Sequence, residues 1–190
     1  MTRLPSLHRD ELNEDAIAIW DRITRMQTLE VFTADGGLSG PFNAFLHAPQ
    51  IGGRLAELGT ALLTRTSVPR RTLELMVITV GAHWKAEFEW YAHAQMARDN
   101  GVPETVIAAI GAGDDPAFEN EDDAVMYRVA RQLAATGRLD DDTYGAAEGV
   151  VGHRGLVEVI ALCGFYTLIS FVLNAFEVPV PAGQSPMWSS

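Results

Sequence analysis

The pattern of apolar and polar residues along this chain is helical almost from end to end. Apolar side chains recur every three or four residues, as on one face of an α-helix, and no long run alternates with the period of a β-strand. The pattern predicts helices at 10–30, 50–64, 103–110 and 121–136, two consecutive helices within 70–101, a shorter segment at 41–48, and a last pair beginning near Asp140. The sequence therefore predicts an all-α fold.

Residues with strong preferences for helix ends set the predicted boundaries. Asp10 is expected to cap the first helix, and Pro69 to open the helix that starts near residue 70. Gly81 is expected to end or kink that helix. Near the C-terminus, Gly149 and Gly152 are expected to break the chain before the final helix.

The final helix, residues 159–176, has no charged residue over eighteen positions, close to the length that spans a bilayer. The membrane interpretation is weakened by Glu158 at one edge, by Asn174 and Glu177 at the other, and because no cationic flank follows the segment. A helix that is apolar all round also suits the centre of a bundle. We therefore predict a central helix, buried within the domain and against another subunit, and no membrane partner.

Three ionisable residues stand among apolar neighbours in 70–101. Glu74 lies within LELMVITV, where nearly every neighbour is of a type found in cores, so an ionised carboxylate there is costly unless it is paired. Glu89 and His93 are four residues apart, which places them on one helical face. Carboxylates beside a histidine in an apolar setting are typical of proton-transfer sites.

The composition of the chain argues against several classes of function. A net charge of −11 argues against a nucleic-acid partner, because phosphate binding needs clustered Lys and Arg. The single cysteine, Cys163, excludes an intramolecular disulfide, a C-x-x-C redox pair and a cysteine-rich zinc site. The N-terminal sequence MTRLPSLHRDELNEDA lacks the apolar segment of a signal peptide, which favours a cytoplasmic protein.

Five segments of the chain form a recognisable set: GPFNAFLHAPQIG, RRTLELMVI and AEFEWYAHAQMARDNGVPETVIAAI, followed by EDDAVMYRVARQL and GLVEVIALCGFY. Together they resemble the carboxymuconolactone decarboxylase family, whose all-helical fold is shared with alkylhydroperoxidase D. The resemblance implies an N-terminal helix and loop at 1–39, a family-like helical domain at 40–176 and a Pro-rich tail at 177–190. It also implies self-association, from dimer to hexamer. LELMVITVGAHW and VEVIALCGFYTL share a pattern that hints at two related helical halves.

The resemblance implies that this chain lacks part of the catalytic machinery of the peroxidase branch. That branch carries a C-x-x-C pair fed by a glutamate–histidine relay, and its two cysteines correspond to Ala86 and Glu89 here. The relay residues correspond to Glu74 and His93. Thiol-based peroxide reduction needs a thiolate, so this chain resembles a cysteine-less branch. We therefore expect chemistry without a cofactor.

The decarboxylase branch implies acid–base chemistry on a small carboxylated or lactone compound. On this interpretation His93 is the acid/base group, Glu89 orients it, and Glu74 is a relay or second acid. Three aromatic residues are expected to line the substrate pocket: Trp84, Trp90 and Tyr91. Arg71, or its neighbour Arg70, is expected to bind a substrate carboxylate or to neutralise Glu74.

Structural interpretations of the same residues stay open. Glu89 and His93 can form an ordinary helix-surface pair, which contributes about 0.3–0.5 kcal/mol. Glu74 can form a structural ion pair with Arg70 or Arg71, and the aromatic residues can belong to the core or an interface.

Two other functional classes also stay open. The two glutamates and His93, with His83, offer oxygen and nitrogen ligands to a divalent metal. The third class is a non-enzymatic oligomeric scaffold that keeps an idle relay.

Overall fold

The computed structural model describes residues 2–25 and 31–188, which form a bundle of α-helices. A 3₁₀ turn at Arg9–Glu11 precedes them. In chain order the helices are α1 (Glu14–Ile23), α2 (Phe42–His47), α3 (Pro49–Thr64), α4 (Arg70–His83), α5 (Glu87–Asp99), α6 (Glu104–Ala112), α7 (Glu121–Thr136) and α8 (Asp141–Ala175). In the described residues, the β-structure is one isolated bridge between Phe32 and Leu38. The all-α prediction is confirmed.

The first helix differs from its prediction at both ends. It begins at Glu14 rather than after Asp10, because Asn13 is the N-cap and its side chain accepts a hydrogen bond from the Ala16 amide at 3.0 Å. The preceding 3₁₀ turn and an extended Leu12 separate Asp10 from the helix. The helix ends at Ile23, and residues 26–30, which the prediction included, lie outside the described residues.

Helix α4 is the centre of the bundle, and α5, α7 and α8 all pack against it. Every residue from Leu73 to Gly81 is buried, so α4 carries Glu74 into the core with its apolar neighbours. Gly81 does not end this helix, which continues to His83. A Cβ atom on Gly81 would lie 3.3 Å from Cγ of Glu89, so the glycine lets α5 approach closely at the level of that carboxylate.

Helix α8 holds a break that the sequence located only approximately. Gly152 has φ 66° and ψ 176°, while Gly149 keeps a helical backbone. Beyond the break, an 18-residue window of α8 is long and apolar enough to cross a membrane by composition, but half of that window is buried inside the domain. One side of the helix packs against α3, α4, α5 and α7, and the opposite side is exposed.

The segment after Glu177 is not helical, and it lies against α5 and α6. The Glu87 carboxylate accepts hydrogen bonds from the backbone amides of Met187 and Trp188 at 2.7 and 2.8 Å. The Trp188 indole donates to the Gly111 carbonyl at 2.9 Å and packs edge-on against Trp90. These contacts fix the tail to the bundle.

We predict that Gly152→Ala destabilises the protein by about 1–3 kcal/mol, because only glycine adopts this backbone conformation without strain. The matched control is Gly149→Ala, three residues earlier on the same helix. At Gly149 the backbone is helical, and a Cβ atom added there would have no atom within 4 Å. The control should therefore stabilise the helix by up to about 1 kcal/mol. Urea denaturation of both variants measures the difference, and equal effects would contradict the break at Gly152.

Candidate active site

Helices α4 and α5 bring the three predicted residues into one row. Nδ1 of His93 lies 2.7 Å from Oε2 of Glu74, and Nε2 of His93 lies 3.1 Å from Oε1 of Glu89. At the other end of the row, Nε of Arg70 donates a hydrogen bond to Oε1 of Glu74 at 2.6 Å. The order Arg70–Glu74–His93–Glu89 alternates cation and anion.

The row is buried, and this decides between two of the open interpretations. Glu74, Glu89 and His93 are 0%, 3% and 7% exposed. The Glu89–His93 contact is therefore not a solvent-exposed helix pair. The predicted ion pair of Glu74 is formed with Arg70, which is one helical turn away on α4.

The two carboxylates keep His93 charged. Burial alone would lower the pKa of the imidazole, but the charge of Glu89 and the hydrogen bond to Glu74 outweigh it and raise this pKa to about 10. Burial would raise the pKa of Glu74, but the hydrogen bond with His93 and the charges of His93 and Arg70 hold it below its usual value. At neutral pH the ring is an imidazolium, and the row carries no net charge.

Glu89 differs from Glu74 in having an oxygen without a hydrogen bond. Its Oε1 lies 3.1 Å from Nε2 of His93, within ion-pair distance, but this buried oxygen makes no well-formed hydrogen bond with any of the described residues. Both oxygens of Glu74, by contrast, are bonded. A buried carboxylate oxygen without a hydrogen-bond partner is costly unless a ligand supplies one.

This end of the row opens into a cavity of about 570 Å³ between α2, α3, α5 and α8. Most of the cavity wall is apolar, and its aromatic members are Phe42, Phe45, Phe88, Phe165 and Tyr166. The charged side chains on the wall include Arg70, Glu89 and His93, whereas Glu74 lies behind them. An apolar chamber of this volume with a few convergent polar groups is the usual form of a small-molecule site.

Sequence reasoning missed most of this wall, including Tyr166. The Tyr166 ring packs edge-to-face against the imidazole of His93, with 5.0 Å between the ring centroids. The signal is a tyrosine within the apolar segment 159–176, a segment whose composition points to core and interface instead. Helices α2 and α3 supply other wall residues from segments that carry no ionisable cluster.

The structure does not bring the predicted substrate-binding residues to this cavity. Arg71 donates hydrogen bonds to the Asp123 carboxylate and to a backbone carbonyl, so its charge is already paired. Trp84 packs against Phe171 of α8, with 4.7 Å between the ring centroids. Trp90 packs against the tail, and Tyr91 lies beside a different surface cavity. Large aromatic surfaces gain most where they are buried against other apolar groups.

The geometry fits a metal ion poorly. Within residues 2–25 and 31–188 there is no group of three or more His, Cys, Asp or Glu side chains arranged to hold one. Both nitrogens of His93 face carboxylates, so the ring has no lone pair for a metal. His83, the fourth suggested ligand, lies nine positions after Glu74 on α4, where it packs against Trp84.

Cys163 is part of the core. Its side chain is buried, and burial raises the pKa of the thiol to about 12, so it is not a thiolate at neutral pH. It is not among the residues that line the cavity.

We predict that His93 stays doubly protonated at neutral pH and well above it. In the unfolded chain the ring loses its proton near pH 6.5, whereas in the folded protein it does so near pH 10. The protonated ring therefore stabilises the fold fully below about pH 6.5, and this contribution is lost as the pH rises toward about 10. Nitrogen-15 spectra of the imidazole should show both N–H groups at about pH 8.

The charge state of His93 can also be determined from the pH dependence of the unfolding free energy. The unfolding free energy of wild type minus that of His93→Gln should decrease between about pH 6.5 and pH 10. Glu74→Gln should show the opposite dependence in acid, because the lowered pKa of Glu74 stabilises the fold above its unfolded value and the effect is lost as the pH falls. A pH-independent difference for His93→Gln would contradict a buried imidazolium.

Comparisons with known proteins agree with this description. Residues 49–136 match the family described as "Carboxymuconolactone decarboxylase family". No curated protein matches the sequence. An uncharacterised peroxidase-related protein from Ralstonia eutropha JMP134, described as an alkylhydroperoxidase AhpD core, superposes with a TM-score of 0.78 at 17% identity, over 97% of each chain.

Two further solved structures have the same fold. An uncharacterised peroxidase-related protein from Silicibacter sp. TM1040 gives a TM-score of 0.75 at 14% identity, over 96% of this chain and 95% of that one. The debrominase Bmp8, as a cysteine-to-alanine variant in complex with 2,3,4-tribromopyrrole, gives 0.71 at 12% identity over the same shares. Residues 49–136 of this chain therefore match the carboxymuconolactone decarboxylase family, and its helices form the alkylhydroperoxidase D-like fold.

Proposed function

We propose that this protein is an enzyme that transfers protons, without a cofactor, on a small ring compound bearing a carboxylate or a lactone. The observation that carries the proposal is the Glu89 oxygen without a hydrogen bond, which lies beside a buried imidazolium in an apolar cavity. In such a cavity a base is close to its substrate and shielded from water, which strengthens its electrostatic interactions. We place this activity in the cytosol.

The contacts favour a change in the roles expected from sequence. His93 was expected to exchange protons with the substrate, yet both of its nitrogens face carboxylates and its charge is fixed by them. Glu89 has the open oxygen. We therefore assign proton exchange with the substrate to Glu89. The positive charge of His93 stabilises the Glu89 carboxylate. Glu74 keeps His93 protonated and is itself held in place by Arg70.

Two reactions suit these roles, and isomerisation fits best. In an isomerisation, Glu89 removes a proton from a carbon next to a carbonyl, the C–H electron pair moves into an enolate, and Glu89 returns the proton to another carbon. In a decarboxylation, the C–C bond to the carboxylate breaks, carbon dioxide leaves, and the conjugated carbonyl accepts the electron pair. A proton taken from solvent through Glu89 then completes the product. Isomerisation is favoured because it begins with Glu89 acting as a base, and the open oxygen of Glu89 is the one beside the cavity.

The size and lining of the cavity support a ring-shaped substrate. A volume of about 570 Å³ is within the range of small-molecule sites. The debrominase that shares the fold was solved with a small halogenated ring, 2,3,4-tribromopyrrole, bound to it. Thiol peroxidase activity is disfavoured by the buried Cys163. The contacts of His93 disfavour a metal site, and a scaffold without activity is the outcome to be distinguished by assay.

We predict that Glu89→Gln lowers the turnover of 4-carboxymuconolactone by about 10²–10⁴-fold, because the amide cannot exchange the proton. Ultraviolet absorbance follows the reaction. Glu104→Gln makes the same chemical change at an exposed ion pair with Arg98 and should keep full activity. Loss of turnover in His93→Gln but not in Glu89→Gln would return the proton-exchanging role to His93. No turnover by folded wild type would exclude this substrate and favour an unsaturated lactone without a carboxylate.

We also propose that the protein self-associates through the outer face of α8, defined by Val157, Ala161, Gly164, Leu168 and Phe171. These residues are exposed, apolar or small, and spaced alternately four and three apart, which is the seam that pairs one helix with another. A second copy presents the same seam, so a twofold axis brings two identical faces together. Exposed apolar surface of this kind marks an interface.

Leu168→Glu should therefore produce a smaller species in sedimentation velocity, because it places a charge in the seam. Tyr144→Glu is the matched control, since Tyr144 is a comparably exposed apolar residue on α8 before the break at Gly152. A change of mass in the control alone, or in neither variant, would contradict association through this face.

A further inference from the structure

Most polar side chains on the cavity wall already have hydrogen-bond partners. Thr60, Thr64 and Asn100 each donate to the backbone carbonyl one helical turn earlier, at 2.8, 2.6 and 2.8 Å. At the rim, Asp99 accepts a hydrogen bond from Gln95 at 2.9 Å. These groups offer little to a ligand in the interior of the cavity.

Two polar groups of the cavity wall have no hydrogen-bond partner among the described residues. Arg70 is held by Glu74 and a backbone carbonyl, and His93 lies between two carboxylates. The remaining groups are Oε1 of Glu89 and the hydroxyl of Tyr166. Oε1 of Glu89 is buried and has no hydrogen-bond partner among the described residues. Within residues 2–25 and 31–188 the hydroxyl of Tyr166 makes no hydrogen bond either, and Tyr166 lines the cavity. The two residues are 3% and 4% exposed.

The two groups flank the same imidazolium. Glu89 reaches His93 from one turn earlier on α5, and the ring of Tyr166 packs on it from α8. One is a proton acceptor and the other a proton donor. Burial, together with the nearby charges of Glu89 and Glu74, raises the pKa of the Tyr166 hydroxyl well above its ordinary value. The hydroxyl therefore keeps its proton and acts as a hydrogen-bond donor rather than as a base.

We infer that Tyr166 is a catalytic residue, and that its hydroxyl donates a hydrogen bond to the carbonyl oxygen of an apolar ring ketone or unsaturated lactone while Glu89 takes the proton from the adjacent carbon. This inference rests on the proton-transfer function proposed above and identifies a ring carbonyl as the group that the enzyme activates. The C–H bond breaks, the proton moves to Oε1 of Glu89, and the electron pair forms the enolate. The negative charge develops on the oxygen that Tyr166 faces, and a fixed donor at that place stabilises the transition state.

The test uses binding rather than turnover, because the natural substrate is unidentified. The probe is 4-nitrophenol at a pH where it is ionised, since a phenolate oxygen imitates an enolate. Nitrobenzene, which has the ring without the oxygen, is the matched control ligand. Both are titrated against the full-length protein. The Glu89→Gln background imitates the protonated Glu89 that accompanies the enolate, and it should bind the phenolate more tightly than wild type does.

In the Glu89→Gln background, Tyr166→Phe should weaken 4-nitrophenolate binding by about 10- to 100-fold, the value of a hydrogen bond to a charged group. The same change should leave nitrobenzene binding within about twofold, because the phenyl ring keeps the contact with His93 and the hydroxyl has no hydrogen-bond partner among the described residues. Equal changes for the two ligands would overturn the inference, since they indicate packing alone.

The outcomes separate this inference from the function on which it rests. If Glu89→Gln does not strengthen phenolate binding, the proton-exchange role of Glu89 fails, and the inference fails with it. If Glu89→Gln strengthens binding but Tyr166→Phe acts equally on both ligands, the proposed function stands and only the role of Tyr166 is overturned. Thermal denaturation of each variant verifies that it is folded.

Discussion

The structure depends on one electrostatic constraint, that charged groups removed from water must compensate one another. An isolated buried ion costs several kcal/mol, so Glu74, which is fully buried on α4, is tolerable only with partners in contact. The row Arg70–Glu74–His93–Glu89 meets this requirement by alternation of sign. Since its members come from two helices, the requirement also sets the register of α4 against α5.

The close packing of α4 and α5 also determines where the side chains of the candidate active site lie. Gly81 removes a side chain where α5 crosses α4, so the backbone of α4 comes near Glu89 and the carboxylate stays in the interior. The break at Gly152 lets α8 run past both helices with Tyr166 against His93. A larger residue at the first glycine, or a continuous helix at the second, would place these side chains differently.

How far the sequence predicts this arrangement depends on the range of the interactions. The helical class and the Glu89–His93 pair follow from local spacing, and the pairing of Glu74 follows from the cost of its burial. The start of α1 was misplaced because Asp10 and Asn13 are both good caps, and only the fold selects between them. The cavity wall was missed because it is formed by segments far apart in the chain. The pairing of Arg71 with Asp123 could not be predicted, because Asp123 lies on α7, far along the chain.

The proposed reacting group is a carboxylate at the position where the resemblance to the peroxidases places a cysteine. A thiolate is reactive because it is easily oxidised, and that reactivity also exposes an enzyme to sulfenic and sulfinic acids. A carboxylate has no such oxidation states. The chain's only sulfhydryl, Cys163, is shielded in the core. The proposed site would therefore keep its reacting group under oxidising conditions that inactivate a thiol-dependent enzyme.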